Sequence, residues 1–322
     1  MTIQQWRYVL AVIDNGGFSR AAEACFVSQP TLSSQIAKLE AELGIPLFDR
    51  LSRPVRPSPA AEPLIERART AVLSLAALPA IAADTGDRMS GTVRIGIIPT
   101  LSQYLLPLFL RGFLDAHPDL HLQITEAQSA AILTGIRRFE LDYGILAPPV
   151  DPRGLKQRTL FFEEFLVYLP PGVRQPKKIE ITGLETSEML LLAEGHCLRD
   201  QIVDLCGLKT EREKSRVEFE TGSLESLIAL VDQRLGYTLL PELAAATLTS
   251  EQQQRLRTIS PAGPVREIAM VFHPALVRPA VLEQTATAIN DALPRKVREN
   301  TATSRVPWRP DHHRPRPDDF EG

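Results

Sequence analysis

The spacing of apolar residues changes at Thr92, and this change constrains the fold more than any other feature of the sequence. Before it, apolar residues such as Trp6, Val9 and Leu10 recur at the helical period. After it, short apolar runs, beginning with TVRIGII at 92–98, alternate with amphipathic segments. The 322 residues also exceed the roughly 250–300 at which a single core stops growing. We therefore predict a helical domain followed by an α/β domain.

The N-terminal segment predicts a helix-turn-helix motif. Its second helix is expected to start from an N-cap at Ser19, and Phe26-Val27 forms the turn. Ser28 then caps a third helix, which carries Pro30 in its first turn and ends at Gly44. Two helices joined by a tight turn, with polar residues at the front of the second, are typical of DNA-binding domains.

The predicted DNA-binding residues lie in the first turns of the third helix and in the basic segment that follows it. They are Gln29, Pro30, Thr31, Ser33, Ser34, Lys38, Arg50 and Arg53. Both arginines lie in 47–56, which we interpret as a wing that contacts phosphates, so binding should weaken with salt. The net charge of −3 shows that the chain as a whole is not basic. DNA binding would therefore depend on a local basic patch. The alternative is a three-helix bundle whose polar residues only face water.

Residues 59–90 predict a linker helix and a hinge, which places a winged helix-turn-helix domain at 1–58. The linker is alanine-rich with leucines at helical spacing, and Pro79 should kink or end it. Turn residues between 85 and 91 predict the hinge.

The α/β domain is predicted at 91–294. Its expected strands are 92–98, 121–127, 142–147, 160–169, 188–193, 216–221, 237–241 and 267–273, and its expected helices are 101–116, 129–140, 223–235 and about 278–293. Such alternation favours a parallel sheet. We expect lobe I at about 91–162 and 267–294 and lobe II at about 163–266, with a cleft at the carboxyl ends of the strands.

The ends of the chain and its cysteine content predict where the protein works. The Pro- and Arg-rich segment 295–322 has almost no apolar residues and is expected to be disordered, with its adjacent histidines solvated rather than bound to metal. No apolar run reaches the roughly 18 residues of a membrane span. Three cysteines and no secretory N-terminus favour a soluble cytoplasmic protein without a membrane partner.

Two of the three cysteines, Cys197 and Cys206, lie nine positions apart. His196 and Arg199 flank the first, and positive neighbours stabilise a thiolate. A thiolate with a second thiol nearby is the usual arrangement of a peroxide sensor. Nine residues span about 13 Å on a helix and about 30 Å on a strand, whereas a disulfide needs Cα atoms roughly 4.4–6.8 Å apart. Bonding these two thiols would therefore require the segment to refold.

The N-terminal pattern resembles that of the LysR-type transcriptional regulators. The resemblance is carried by FSRAAE at 18–23, VSQPTLS at 27–33, Ile36, LE at 39–40, LG at 43–44 and LFDR at 47–50. It implies a periplasmic-binding-protein-like effector domain and a dimer that pairs through the linker helix. It further implies a homodimer or homotetramer on a pseudo-palindromic operator in double-stranded DNA, with RNA polymerase as a further partner. Most members bind a small metabolite in the cleft.

A second stretch resembles the hydrogen-peroxide-sensing members of that family. This resemblance is carried by GHCLRDQ at 195–201 with Cys206, IPT at 98–100, EAQ at 126–128, SLE at 223–225 and TLLP at 238–241. It implies that hydrogen peroxide oxidises Cys197 to a sulfenic acid, that Cys206 resolves it as a disulfide, and that the new conformation activates antioxidant genes. No cofactor, metal or enzymatic turnover is implied.

The same resemblance implies a set of supporting residues around Cys197. They are Thr100, Ser129, His196, Arg199, Asp200, Gln201 and Arg266. Arg199 would stabilise the thiolate and the sulfenate, while the hydroxyls of Thr100 and Ser129 would orient the peroxide. Cys25, on the small-residue second helix, is interpreted as a packing residue.

Three alternatives remain for the cysteine pair. The protein could be a metabolite-responsive regulator in which both cysteines are structural. A zinc site is disfavoured because a C-x2-C spacing and a complementary histidine pair are missing. A thiol peroxidase is disfavoured because such an enzyme has no need of a DNA-binding domain.

Overall fold

The computed structural model of the chain describes residues 1–49, 52, 54–83, 89–148, 154–180, 188–206, 221–260, 265–275 and 278–299. The chain divides into two compact units, Met1–Ala83 and Asp84–Gly322, and each has its own hydrophobic core. Across the described ranges, no helix combines the length and the apolar character that crossing a bilayer requires.

The described residues of the first unit form four helices and a two-stranded antiparallel sheet. The helices are α1 (Ile3–Asn15), α2 (Phe18–Ala24), α3 (Gln29–Leu43) and α4 (Glu62–Ala83), and the strands are β1 (Phe48–Asp49) and β2 (Arg56–Pro57). The Ser28 hydroxyl accepts a hydrogen bond from the Thr31 backbone N–H, and Gly44 ends α3 in the left-handed conformation at φ 72°. The predicted start and end of α3 are therefore confirmed.

The predicted start of α2 is wrong. The helix is capped by Gly17 rather than Ser19, and it includes Phe18, whose ring packs edge-on against Phe48 at 5.4 Å between centroids. Cys25 is the C-cap of α2 rather than a residue within it, but its predicted packing role is confirmed, because it is half-buried against the N-terminal core. Pro79 was predicted to kink or end α4, and the helix does not end there but continues to Ala83.

The first half of α4 belongs to the N-terminal core. Ile65 and Val72 are buried in the same cluster as Leu32 and Ile36 of α3. In the second half of α4, Leu78 is 55 % exposed. An apolar side chain of this size on an exposed helix surface is a candidate contact for another molecule.

The second unit carries the α/β domain. Its strands are β3 (Gly91–Ile97), β4 (Leu120–Glu126), β5 (Tyr143–Leu146), β6 (Lys156–Tyr168), β7 (Lys178–Glu180), β8 (Thr238–Pro241), β9 (Leu256–Ser260) and β10 (Val265–Phe272). Its helices are α5 (Pro99–Ala116), α6 (Ser129–Arg137), α7 (Cys197–Cys206), α8 (Leu224–Asp232), α9 (Glu242–Ala246), α10 (Ser250–Gln253), α11 (Pro279–Ala292) and α12 (Arg295–Arg298).

The strands form one mixed sheet in the order β4-β3-β5-β10-β6-β9-β7, with β8 also paired to β6. Strand β3 is parallel to β4 and β5, and β7 is parallel to β9. Strand β10 is antiparallel to β5 and β6, and β6 is antiparallel to β8 and β9. The α/β class is confirmed. The prediction of a parallel sheet is wrong, because the long strand β6 is antiparallel to each of its partners, β10, β8 and β9.

Two predicted strands have no counterpart among the described strands. The run at 188–193 forms only an isolated bridge between Met189 and Tyr237. Its leucines are buried, so burial rather than strand pairing explains their apolar character. The other, 216–221, lies outside the described residues except for Thr221. Strands β7 and β9 and helices α7, α9, α10 and α12 were not predicted.

The predicted disordered tail does not begin at 295. Residues Arg295–Arg298 form α12, in which Val297 is 2 % exposed. Lys296 Nζ lies 2.6 Å from a Glu242 carboxylate oxygen. The buried side chain of Val297 and the ion pairs of Lys296 therefore hold a segment whose composition predicted disorder, while 300–322 lie outside the described residues.

Candidate redox site

Helix α7 presents Cys197 at its first position and Cys206 at its last. The turn before it depends on Gly195, which has a φ of +86°, and an added Cβ there would lie 2.7 Å from Gln128 Oε1. Glycine is the residue that adopts this conformation without a steric penalty. Leu198 is fully buried and anchors the first turn of α7 to the core of the domain.

The environment of Cys197 acts on its thiol in opposing directions. Burial raises the pKa of Cys197, because the thiolate loses contact with water, and the negative charge of Asp200 also raises it. The positive charge of Arg266 lowers the pKa, as do the Ser129 hydroxyl and the backbone of Ala147. Whether the thiolate forms therefore depends on these few groups.

Arg266 is the cation of this site and is itself 1 % exposed. Its Nε donates to Glu163 Oε1 at 2.7 Å, and Nη2 lies 2.7 Å from the same oxygen. Its Nη1 donates to Thr100 Oγ1 and its Nη2 to the Thr100 carbonyl, both at 3.3 Å. The sheet thus places a fully buried ion pair next to the N-terminus of α5.

Ser129 and Thr100 each lie at the start of a helix. Ser129 is the first residue of α6, and Thr100 is the second residue of α5. The Ser129 hydroxyl acts on the Cys197 sulfur, yet it is buried without a hydrogen-bond partner of regular geometry within the described residues. It therefore retains hydrogen-bonding capacity beside the thiol.

The described contacts of Arg199, which was predicted to stabilise the thiolate, are with the loop before α7. Its Nη1 donates to the Leu192 carbonyl at 3.0 Å, and its Nη2 lies 3.7 Å from a Glu194 carboxylate oxygen. The guanidinium thus braces the loop before α7. The cation whose charge lowers the pKa of Cys197 is Arg266, and the role of Arg199 toward the thiolate stays a prediction.

Two further supporting candidates, His196 and Gln201, lie just before α7 and within its first half. Burial lowers the pKa of His196, which is 8 % exposed, whereas Asp200 and Glu126 raise it. The Gln201 side chain donates to the Pro148 carbonyl at 3.1 Å, and its own amide oxygen is buried without a described partner. Gln201 therefore ties α7 to the segment that follows β5.

Cys206 lies at the opposite end of α7 from Cys197. Burial raises the pKa of the Cys206 thiol to about 11. All three cysteines of the chain are free thiols in this structure. Along a regular helix the two Cα atoms are about 13 Å apart, well beyond the roughly 4.4–6.8 Å of a disulfide.

Sequence reasoning missed Glu163, although a signal was present. This residue and Glu164 interrupt an otherwise apolar run, LFFEEFLVYL at 160–169. A charged residue in a buried strand requires a partner. The partner is Arg266, which lies directly opposite Glu163 in the antiparallel register of β6 and β10.

The predicted DNA-binding residues of α3 form a mostly exposed surface in the first unit. Gln29, Pro30, Thr31, Ser34 and Lys38 are exposed, and Ser33 is half-buried. The hydroxyls of Ser28 and Thr31 lie 2.8 Å apart. Arg50 and Arg53 of the predicted wing lie outside the described residues.

The described residues contain no group of three or more histidine, cysteine or acidic side chains placed to hold a metal ion.

Two family models match the chain. Residues 3–62 match the bacterial regulatory helix-turn-helix protein of the lysR family, and residues 86–294 match the LysR substrate binding domain. A curated relative, the probable hydrogen peroxide-inducible genes activator of Mycobacterium leprae, is 35 % identical over 91 % of this chain and 94 % of its own length.

Solved structures give the same result. A full-length OxyR cysteine-to-aspartate variant from Pseudomonas aeruginosa has a TM-score of 0.70 and 29 % identity, covering 90 % of this chain and 97 % of its own. An H2O2-bound OxyR cysteine-to-serine variant from Corynebacterium glutamicum has a TM-score of 0.58 and 29 % identity, covering 90 % and 92 %. Because two family models match the chain and a curated relative matches it along most of its length, the chain belongs to the LysR family of bacterial transcriptional regulators.

Proposed function

We propose that this LysR-family regulator binds DNA and senses hydrogen peroxide through Cys197 and Cys206, and that the oxidised form activates antioxidant genes. The observation that carries the proposal is the position of the two thiols at the two ends of α7, the first beside Arg266 and the hydroxyl of Ser129. Relatives that are named hydrogen peroxide-inducible genes activators support it.

The proposed chemistry begins at Cys197. Its thiol loses a proton, and the sulfur attacks one oxygen of hydrogen peroxide, so that an S–O bond forms while the O–O bond breaks. The leaving hydroxide takes up the proton and departs as water, which leaves a sulfenic acid. Arg266 stabilises the negative charge on the sulfur, and the hydroxyls of Ser129 and Thr100 orient the peroxide.

Cys206 completes the reaction. Its sulfur attacks the Cys197 sulfur, an S–S bond forms, and the S–O bond breaks. The hydroxide that leaves combines with the Cys206 proton as a second water. Two thiols are thus oxidised by two electrons in total, and one peroxide is reduced to two waters.

The disulfide and the conformational change are one event in this proposal. Because the two Cα atoms are about 13 Å apart on α7, the helix must unwind before the bond can close. Unwinding withdraws Leu198 from the core and breaks the contact of Gln201 with Pro148. Such a local refolding, with two discrete arrangements, is a recognised form of regulatory switch.

The DNA-binding part of the proposal rests on α3. Its exposed polar first turn would enter the major groove, with Lys38 and the predicted wing arginines Arg50 and Arg53 on phosphates. Dimers or tetramers that pair through α4, where Leu78 is exposed, would read a pseudo-palindromic operator and contact RNA polymerase. We also propose a cytoplasmic location, because bacterial DNA and reduced thiols are both found in that compartment.

The proposed division of the chain is a winged helix-turn-helix domain at 1–58, a linker at 59–90 and a regulatory domain at 91–294. The regulatory domain has lobe I at about 91–162 and 267–294 and lobe II at about 163–266. The packing of Val297 moves the start of any unstructured tail beyond α12. We further propose that the protein is not an enzyme, because a regulator needs one oxidation for each response rather than turnover.

The test is to map the thiols after oxidation. Reduced protein is treated with equimolar hydrogen peroxide, free thiols are alkylated, and the peptides are identified by mass spectrometry. We expect one disulfide, between Cys197 and Cys206, in the wild type and in the matched control Cys25→Ser. A DNA footprint that differs between the reduced and oxidised forms is expected from the same samples.

Two outcomes would contradict the proposal. Finding both thiols free after peroxide treatment would leave the metabolite-responsive regulator, as would an unchanged footprint in a protein whose disulfide has formed. Fast and repeated peroxide consumption in the presence of a thiol reductant would instead indicate a peroxidase.

A further inference from the structure

The Arg266 guanidinium has a buried carboxylate as its partner. Glu163 is fully buried, and one of its oxygens receives Nε of Arg266 at 2.7 Å. Its other oxygen accepts the backbone N–H of Leu243 at 3.0 Å. The carboxylate is therefore held from two sides, by the neighbouring strand and by the start of α9.

The backbone determines the position of this ion pair. Glu163 and Arg266 are Cα partners in the register of β6 and β10. From this position the guanidinium also donates to both the side chain and the carbonyl of Thr100. Four hydrogen-bonding contacts thus hold the Arg266 guanidinium in place. From there its positive charge lowers the pKa of Cys197.

The pairing limits how strongly the cation acts on the thiol. A buried guanidinium without a counter-ion would favour the thiolate strongly, because the thiolate would become its counter-ion in a site that excludes water. With Glu163 present, the pair is neutral overall. Asp200, on the same helix as Cys197, also opposes the thiolate.

We propose that Glu163 is a positioning residue of the redox site, which holds the Arg266 guanidinium against Thr100 and offsets part of the positive charge experienced by the Cys197 sulfur. This inference rests on the proposed function of Cys197 as the peroxide-reactive thiol. In a sensor, such an arrangement keeps the resting thiol mainly protonated and sets the peroxide concentration at which it responds. The Glu163 carboxylate then determines the sensitivity of Cys197 to peroxide as much as the Arg266 guanidinium does.

The test measures the thiol without using peroxide or DNA. In a Cys25→Ser, Cys206→Ser background of the full chain, the rate of iodoacetamide alkylation of Cys197 is followed against pH. We expect Glu163→Gln to lower the midpoint of this profile by about one pH unit, so that Cys197 reacts about tenfold faster below the midpoint. Glu163→Asp, which keeps the charge, should restore most of the wild-type profile.

The neighbouring glutamate provides the matched control. Glu164 is adjacent in the same strand but lies 3.7 Å from Lys296 rather than beside Arg266. Glu164→Gln should leave the alkylation profile unchanged. A purely structural role of Glu163 would lower the melting temperature of Glu163→Gln without moving the profile toward lower pH.

A second pair of variants keeps the test decisive if Glu163→Gln does not fold. Arg266→Gln should raise the midpoint, because Glu163 then faces the thiol without its cation. Adding Glu163→Gln to it should bring the midpoint down again. Equal midpoints in these two proteins, or a profile of folded Glu163→Gln that is unchanged or shifted upward, would overturn the proposal.

The two proposals fail separately. A shifted profile together with no disulfide after peroxide treatment would support the role of Glu163 and contradict the sensor. A disulfide after peroxide treatment together with an unshifted profile would leave the sensor in place and remove Glu163 from its control.

Discussion

Cys197 and Cys206 are the first and last residues of one helix of 10 residues. In a regular helix a separation of nine residues places them about half a turn out of phase and about 13 Å apart. A disulfide needs Cα atoms roughly 4.4–6.8 Å apart. The two thiols therefore cannot pair while α7 is intact, and oxidation is coupled to the loss of the helix.

The first prediction concerns this coupling. Oxidation to the Cys197–Cys206 disulfide should remove the hydrogen-exchange protection of the amides in α7, because the helix must unwind for the bond to close. Hydrogen–deuterium exchange with mass spectrometry on reduced and oxidised protein checks it. Helix α11 (Pro279–Ala292), which contains no cysteine, should keep its protection in both forms. Equal protection of α7 in a protein whose disulfide has formed would contradict the prediction.

The second prediction concerns the reactivity of Cys206. Burial raises the pKa of this thiol to about 11, from 9.0. Below pH 9 the folded protein therefore holds roughly one hundredfold less Cys206 thiolate than the unfolded chain. Iodoacetamide at pH 8 should therefore alkylate Cys206 about one hundredfold more slowly in native Cys25→Ser, Cys197→Ser protein than in the same protein in urea. Equal rates would show that the thiol is not buried.

The same pKa predicts how stability depends on pH. The unfolded chain releases the Cys206 proton first, near pH 9, whereas the folded protein holds it until about pH 11. The free energy of unfolding should therefore fall as the pH rises through this window. Urea unfolding of reduced wild type and Cys206→Ala, at pH 8 and at pH 10.5, measures the effect. The variant should lose less stability over the interval, and an equal loss would contradict the prediction.

The third prediction concerns DNA binding by α3. Lys38 is exposed on this helix, and each phosphate contact contributes about 0.9 to the slope of log affinity against log salt. Lys38→Ala should weaken operator binding and reduce that slope by about one per subunit. Lys178, exposed on β7 of the other unit, is the matched control, and Lys178→Ala should leave both quantities unchanged. An unaltered slope in Lys38→Ala would exclude Lys38 from phosphate contact.

The sequence predicted helix ends correctly where they depend on contacts between neighbouring residues. The Ser28 cap and the Gly44 terminus of α3 depend on contacts within one helical turn, and both are present. The Ser19 cap failed because Phe18 packs on Phe48 of the wing. Pro79 was predicted to kink or end α4, and the helix does not end there. At the start of α2, packing beyond the segment outweighed a valid local preference.

Prediction from the sequence was least accurate where an apolar segment is buried without forming a helix or a strand. The apolar run that contains Met189 was read as a strand, although Met189 makes only an isolated bridge. Conversely, Val297 packs into the core from a segment whose composition predicted disorder. Composition describes how much surface a segment could bury, whereas the fold decides whether a complementary surface is available.

The sequence by itself determined the family, the two kinds of domain and the spacing that prevents Cys197 and Cys206 from pairing in regular structure. Each of these depends on residue identity and on separation along the chain. Only the tertiary structure decided which cation acts on Cys197. Arg199 is close in sequence but donates to the Leu192 carbonyl. Arg266 reaches the site because the register of β6 and β10 sets it opposite Glu163, and strand pairing over such a distance cannot be read from local sequence.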